Sequence, residues 1–428
     1  TVITPDLSAG NPIGVMGDPL TGVSNDIYAR ALVLNDGTRR IALVTYDLNC
    51  LDVATPLLRV RLRDELGIAP ECFIPLATHN HCAPIQIVPD NFAYGRLLAD
   101  KIFDLVKQAI ANETGPVTVK FGAGQCYFLV NMGNAPIDYE TQVLSVEKDG
   151  APIAVFFNHP SHPIQEDFQK VGTGHPGYAV EAVEAAFPGA LGMYADAAGG
   201  NQFPRNGMHG DAETVRRYGR ELAEAVVQVA RGPMRDVTGP LSSAKETIPL
   251  PLDEPLPRAE ARKLAAFFPS DIGYVPYPQP YRGTNWVRAL NAWYDEKRPF
   301  PKWTTDLVCT DEGFLLRELP EAREFPCKYE ETIVARIGEL VFVAMQGEVC
   351  TPIGMRIKDA FRYKHPIMVG AYMGEHNLYI PTREIVRLGL YQANVIQTQY
   401  ASPVGWAPSV EREMLGGVKR MVREALER

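Results

Sequence analysis

The chain of 428 residues is 46% hydrophobic and 22% charged, the make-up of a globular protein with a large core. Its net charge of −9 argues against nucleic acid or an anionic membrane as partner, since either would favour a basic face. The longest apolar runs, such as Leu340 to Met345 and Ile41 to Thr45, fall far short of the roughly 20 residues needed to cross a bilayer, so no integral membrane segment is expected. The first residues, Thr1-Val-Ile-Thr-Pro-Asp-Leu-Ser, carry no basic region followed by an apolar stretch, which favours the cytoplasm and leaves a removed signal peptide open. Seven cysteines without a Cys-x-x-Cys pair suit neither a disulfide framework nor a cysteine-only zinc site, and buried thiols are expected.

From the start to about Arg231, short β-branched or apolar runs alternate with longer amphipathic stretches, the pattern of a layered α/β domain. Ile41 to Asp47 reads as a strand and Asp52 to Leu66 as a helix capped by Asp52. A strand at Phe73 to Thr78, a helix at Arg96 to Ala111 and a strand at Val117 to Gly122 follow. Gln142 to Val146 and Ile153 to Phe157 form a predicted hairpin across Lys148-Asp149-Gly150. Beyond it come a helix at Gly177 to Ala186, a strand at Leu191 to Ala195 and a long helix at Ala212 to Arg231.

From about Pro249 to Pro326 prolines and aromatics accumulate, including Tyr274 to Tyr281, Trp286, Trp293 and Trp303. Proline blocks both helix and sheet, so this segment reads as an insertion, either an irregular crossover packed on the core or a lid over a substrate. Strands at Thr332 to Ile337 and Leu340 to Met345 then flank Gly338-Glu339. A helix near Pro352 to Arg362, a strand at Ile367 to Tyr372 and a helix at Ser409 to Leu426 complete the chain, which is expected to form one domain over 1–428.

Four segments carry the chemistry. In Leu76-Ala-Thr-His-Asn-His-Cys-Ala-Pro84, an extended backbone would send His79 and His81 to one face, and imidazole both binds zinc and moves protons near neutral pH. In Val155-Phe-Phe-Asn-His-Pro-Ser-His162 an apolar strand runs into His159 and then His162, which makes His159 a second ligand candidate. His175, just before a helix, is a candidate for substrate binding or a plain turn residue. Val341 to Glu348 is an apolar strand ending in Gly347 and a carboxylate, and a buried Glu348 wants a cation, a metal or a proton. Glu375-His-Asn-Leu-Tyr-Ile-Pro-Thr-Arg-Glu384 contributes Tyr379, with Tyr391 twelve residues later; a tyrosine there can ligate a metal or donate to an oxyanion.

Together these segments resemble, in order along the chain, the neutral/alkaline non-lysosomal ceramidases, zinc amidases that cleave the amide of ceramide. That family reads Ala-Thr-His-Thr-His-Ser-Gly-Pro where this chain has Ala77-Thr-His-Asn-His-Cys-Ala-Pro84. The resemblance implies an α/β fold with a mixed β-sheet core flanked by helices, and a Zn2+ ion held by His79, His159, Glu348 and Tyr379. It also implies that His81 is the neighbouring acid/base and that Tyr391 steadies the oxyanion. The expected reaction is hydrolysis of a linear amide, an N-acyl bond, in a small-molecule substrate, with homo-oligomerisation left open.

The chain departs from the family at two polar positions. The family's serine is Phe203 within Ala198-Gly-Gly-Asn-Gln-Phe-Pro-Arg205, and its arginine is Asn134 within Asn131-Met-Gly-Asn-Ala-Pro136. The chain also stops soon after the region of resemblance, without the C-terminal β-sandwich domain of secreted ceramidases. These departures keep the expected metal chemistry and loosen the link to ceramide itself. An ester, a sugar-derived substrate or a non-catalytic binding role are the competing expectations.

Overall fold

The computed structural model describes residues 1–132, 135–267, 285–295, 305–310, 313–318, 327–375, 378–398, 402 and 404–427. Its frame is three sheets. Strands Ala29–Asn35, Arg40–Tyr46 and Phe73–Ala77 form the first, antiparallel and then parallel. The second runs Leu191–Asp196, Ala151–His159, Glu140–Lys148, Thr118–Gln125 and Arg235–Asp236. The third runs Leu241–Pro251, Cys327–Ile337, Leu340–Met345 and Ile367–Gly370. Parallel and antiparallel pairs mix in each, which is the expected mixed α/β core.

Alternation of side chains along the strands divides the core. Ile41 and Leu43 join Phe156, Met193, Ile333 and Phe342 in a cluster shared by all three sheets. Their neighbours Ala42, Val44 and Tyr46 point the other way, with Val341, Val343 and Met345, into a second cluster. That cluster is covered by helices α1 (Ala54–Leu66), α2 (Phe92–Ala111) and α7 (Thr351–Phe361) and by the helix Val410–Glu427. Val155 and Phe157 enter a third, beneath α3 (Gly174–Ala186) and α4 (Ala212–Arg231).

The Asp149-Gly150 turn joins strands 140–148 and 151–159, both turn residues having positive φ (53° and 81°) as a type I′ hairpin requires. The cap expected of Asp52 is not formed: α1 starts at Ala54 behind Val53, without a side-chain cap, and Asp52 is buried. The strand expected to reach Tyr372 stops at Gly370, because Tyr372 adopts left-handed backbone (φ 57°). Within 249–326, the sequence starts inside the long strand Leu241–Pro251 and the described parts then form helices α5 (Arg258–Phe267) and α6 (Asn285–Asp295) and a hairpin of Thr305–Thr310 with Gly313–Glu318. Tyr274 to Tyr281 and Trp303 lie outside the described residues. No helix among the described residues is long and apolar enough to cross a membrane.

Several strand ends meet at one place. Ala197 N–H donates to the carbonyl of His159, Ala371 N–H to that of Asp196, Tyr372 N–H to that of Gly347, and Ala77 N–H to that of Tyr372. Loops leaving these strands carry His79, His162 and Glu348.

Candidate metal centre

His79 follows the Phe73–Ala77 strand by two residues with left-handed backbone (φ 55°). The loop is pinned on both sides: Thr78 and Asn80 N–H groups donate to the carbonyls of Tyr46 and Leu48, and the Asn80 amide donates to the carbonyls of Asp47 and Gly172. His81 N–H donates to Gln165 Oε1 at 3.1 Å. The two imidazoles do meet, Nε2 to Nε2 at 3.2 Å with rings 76° apart. A loop brings them together rather than the pleat of a strand, because extended structure ends at Ala77.

His162 sits beyond a bend at Pro160-Ser161. The Ser161 N–H donates to Asp196 Oδ1 and His162 N–H to the Gln202 carbonyl, while the Gln202 amide donates to the Pro160 carbonyl. Its Nδ1 lies 3.2 Å from the Gly199 carbonyl oxygen. A carbonyl only accepts, so Nδ1 carries a proton and donates to it, which leaves Nε2 as the atom turned to the centre. Gly199 and Gly200 are required here: a Cβ on the first would overlap the Pro160-Ser161 backbone, and one on the second the Glu348 carbonyl.

Glu348 begins a two-residue strand, Glu348–Val349, parallel to Tyr379–Ile380, which sets Tyr379 beside it. Glu348 Oε2 lies 3.2 Å from His79 Nε2 and 3.2 Å from His162 Nε2, without the geometry of a hydrogen bond to either. His79, His162 and Glu348 are all buried, and their three donor atoms have the arrangement of a metal site. Two zinc ligands at tetrahedral angles are roughly 3.3 Å apart, given bonds of about 2.0 to 2.1 Å. The Tyr379 hydroxyl is 3.1 Å from His162 Nε2, completing a ring of donors.

The electrostatics fit a cation as well. Burial pushes the His79 imidazole below its ordinary pKa, toward the neutral form that ligates, against the pull of Glu348. Burial pushes Glu348 up, but the two histidines outweigh it and hold the carboxyl below its usual range. His79 Nε2 and His162 Nε2 each lie 3.2 Å from Glu348 Oε2, the spacing of neighbouring ligands around one divalent ion.

His159 stands elsewhere. It is the last residue of its strand, on the same side as Val155 and Phe157, so the pleat sends it under α3 and α4, away from Glu348. There its ring packs 5.4 Å from that of Phe128, and burial pushes its pKa down to about 3. The structure therefore puts His162, three residues on, where the sequence pointed to His159. His175 is also buried beside Phe128, its Nδ1 accepting from the Ile164 N–H, a packing role rather than a substrate contact. Tyr391 opens the helix Tyr391–Thr398, 47% exposed, its ring 5.7 Å from that of Tyr379. Phe203 stacks on the His162 ring at 4.5 Å and 30°. Asn134 lies outside the described residues.

Three further residues escaped the sequence reading. Asn49 places its amide nitrogen, Nδ2, 3.1 Å from His79 Nδ1; exchanging the amide's O and N would put an acceptor there and orient the ring for ligation through Nε2. Asp196 is fully buried at a strand end, its carboxyl pushed well above the usual range by burial. Tyr372 packs its ring on His79 with centroids 4.1 Å apart. Asp196 carries a detectable signal, a carboxylate closing an apolar strand run, whereas Asn49 lies three residues past the end of its strand.

No protein-family model and no curated protein matches the chain. Solved structures do, two of which are the following. The crystal structure of neutral ceramidase from Pseudomonas aeruginosa superposes with a TM-score of 0.71 at 17% identity, over 99% of this chain and 73% of that one. A ceramidase complexed with C2 gives 0.71 at 18% identity, over 99% and 74%. At such identity the likeness establishes the architecture, and the chain has the fold of the neutral ceramidases.

Proposed function

We propose that the chain is a zinc-dependent hydrolase of a linear N-acyl amide, with His79, His162 and Glu348 as metal ligands and Tyr379 beside them. The observation that carries this reading is the convergence of three buried ligand atoms, with His79 Nε2 and His162 Nε2 each 3.2 Å from Glu348 Oε2. A bound zinc supplies Lewis-acid polarisation of the substrate carbonyl and lowers the pKa of a water to about 7.

The chain's own residues do the rest. Asn49 and the Gly199 carbonyl orient the two ligand imidazoles. His81, with Nε2 3.2 Å from His79 Nε2, is placed to take the proton of the attacking water and hand it to the leaving nitrogen. An amine leaves poorly without that proton. Tyr391, behind Tyr379, is the donor assigned to the oxyanion. Phe203 favours a second reading: an aromatic on His162 where the family has a serine removes a hydroxyl from the substrate's surroundings, compatible with an ester or sugar-derived substrate on the same centre.

The test is a hydrolysis panel of N-acyl amines, N-acyl sphingosine, esters and glycosides, with chelated, zinc-restored and His81→Ala enzyme. The proposal expects amine release that chelation abolishes and zinc restores, and a turnover loss of about 10²- to 10⁴-fold in His81→Ala with zinc retained. Ester or glycoside turnover with none on N-acyl compounds moves the assignment to the second reading. A zinc-loaded protein inert on the whole panel makes it a binding protein.

A further inference from the structure

Three non-glycine residues among those described have left-handed backbone, and two of them, His79 (φ 55°) and Tyr372 (φ 57°), pack against each other at the centre. Such backbone disfavours any residue with a Cβ, and a bulky aromatic more than most. Glycine would remove that penalty, and Gly374, two residues on with φ 67°, does so where only a turn is needed. Position 372 instead holds a buried tyrosine.

Its backbone is held from two sides. The Tyr372 N–H donates to the Gly347 carbonyl, in the turn before Glu348, and the Tyr372 carbonyl accepts from Ala77 N–H, at the end of the strand leading to His79. The ring is thereby fixed relative to both elements and lies 35° from the His79 ring plane, centroids 4.1 Å apart. The hydroxyl has no hydrogen-bond partner among the described residues, so no polar contact accounts for the side chain. What remains is the aromatic face.

We infer that Tyr372 is a positioning residue: its ring is a fixed wall that sets the plane of the His79 imidazole, and so the direction of the Nε2 lone pair at the metal. The inference rests on His79 being a ligand. It explains why strained backbone is kept here, since strain at a site persists only where the surrounding structure over-determines it.

The experiment compares wild type, Tyr372→Phe, Tyr372→Leu and Tyr372→Met. Each is stripped with chelator, checked for fold by circular dichroism and titrated with cobalt(II), following the visible spectrum and the dissociation constant. On the best substrate of the panel, kcat and KM are then measured with zinc. Tyr372→Phe is expected to keep the cobalt spectrum and affinity within about threefold. The two aliphatic variants are expected to lose roughly 10- to 100-fold in affinity, to change the spectrum, and to lose kcat with KM within about twofold. Leucine and methionine variants that bind cobalt as wild type does overturn the positioning role and leave the metal centre standing. A phenylalanine variant with a normal cobalt spectrum and lost kcat also overturns it, because the hydroxyl then acts on substrate. A wild type that binds neither cobalt nor zinc brings down the metal reading, and this inference with it.

Discussion

His159 and His162 differ by three residues and by everything in their surroundings. His159 obeys the alternation of the strand it ends and is carried into the core under α3 and α4, where His175 joins it beside Phe128. Both imidazoles are pushed down to about 3 by burial. Unfolded, each binds a proton near pH 6.5; folded, neither does until about pH 3, so the stability they contribute is complete above pH 6.5 and is lost as pH falls through that window. Each is expected to remove about 1.4 kcal/mol per pH unit below 6.5. Urea unfolding at pH 7, 6 and 5 should show this slope, shallower in His175→Asn; an unchanged slope in that variant would contradict the assignment. Alternation counted from Val155 puts His159 on the face of Val155 and Phe157 and was readable in the sequence, but only the fold shows that this face lies away from the centre. The bend that returns His162 was not readable, because it depends on Asp196, Gly199 and Gln202, 35 or more residues away in sequence.

At the scale of elements, the centre is assembled by loops that leave strand ends, each clamped by a neighbour's backbone. The Gly199-Gly200 pair is the tightest of these joints, wedged between the Pro160-Ser161 bend and the Glu348 turn, with Gly200 N–H donating to the Val349 carbonyl. Gly200→Ala would force the Glu348 turn away from His162. The expected result is a stability loss of about 1–3 kcal/mol with zinc affinity lowered at least about tenfold. Calorimetry and chelator competition on the variant measure the two losses, and an alanine variant with wild-type zinc affinity would show that the joint does not set the site. Strands and helices were largely legible because hydrophobic periodicity is local: the helix over 212–231 and the hairpin at Asp149-Gly150 appear as read. Less legible were departures driven by long-range contact, such as Tyr372, an aromatic of the kind enriched in strands, which leaves the sheet to meet His79.

Over the whole molecule, three sheets share one core and direct their loops to a common place, an architecture matching neutral ceramidases over 99% of the chain at 17% identity. Their packing keeps His79, His162 and Glu348 buried and within reach of one ion although they are separated by as many as 269 positions of sequence, from His79 to Glu348. Burial is also what makes the arrangement diagnostic, since a buried carboxylate facing two imidazole nitrogens is costly unless something positive lies between them. The candidates His79 and Glu348 were legible because each follows an apolar strand, whereas His162 as the third candidate needed the fold. The most direct test is metal content by inductively coupled plasma mass spectrometry on wild type, His162→Ala and His159→Ala, purified without chelator. The account predicts about one zinc per chain in wild type and in His159→Ala and none in His162→Ala; a folded wild type without metal, or a His162→Ala protein that keeps its zinc while His159→Ala loses it, would contradict it.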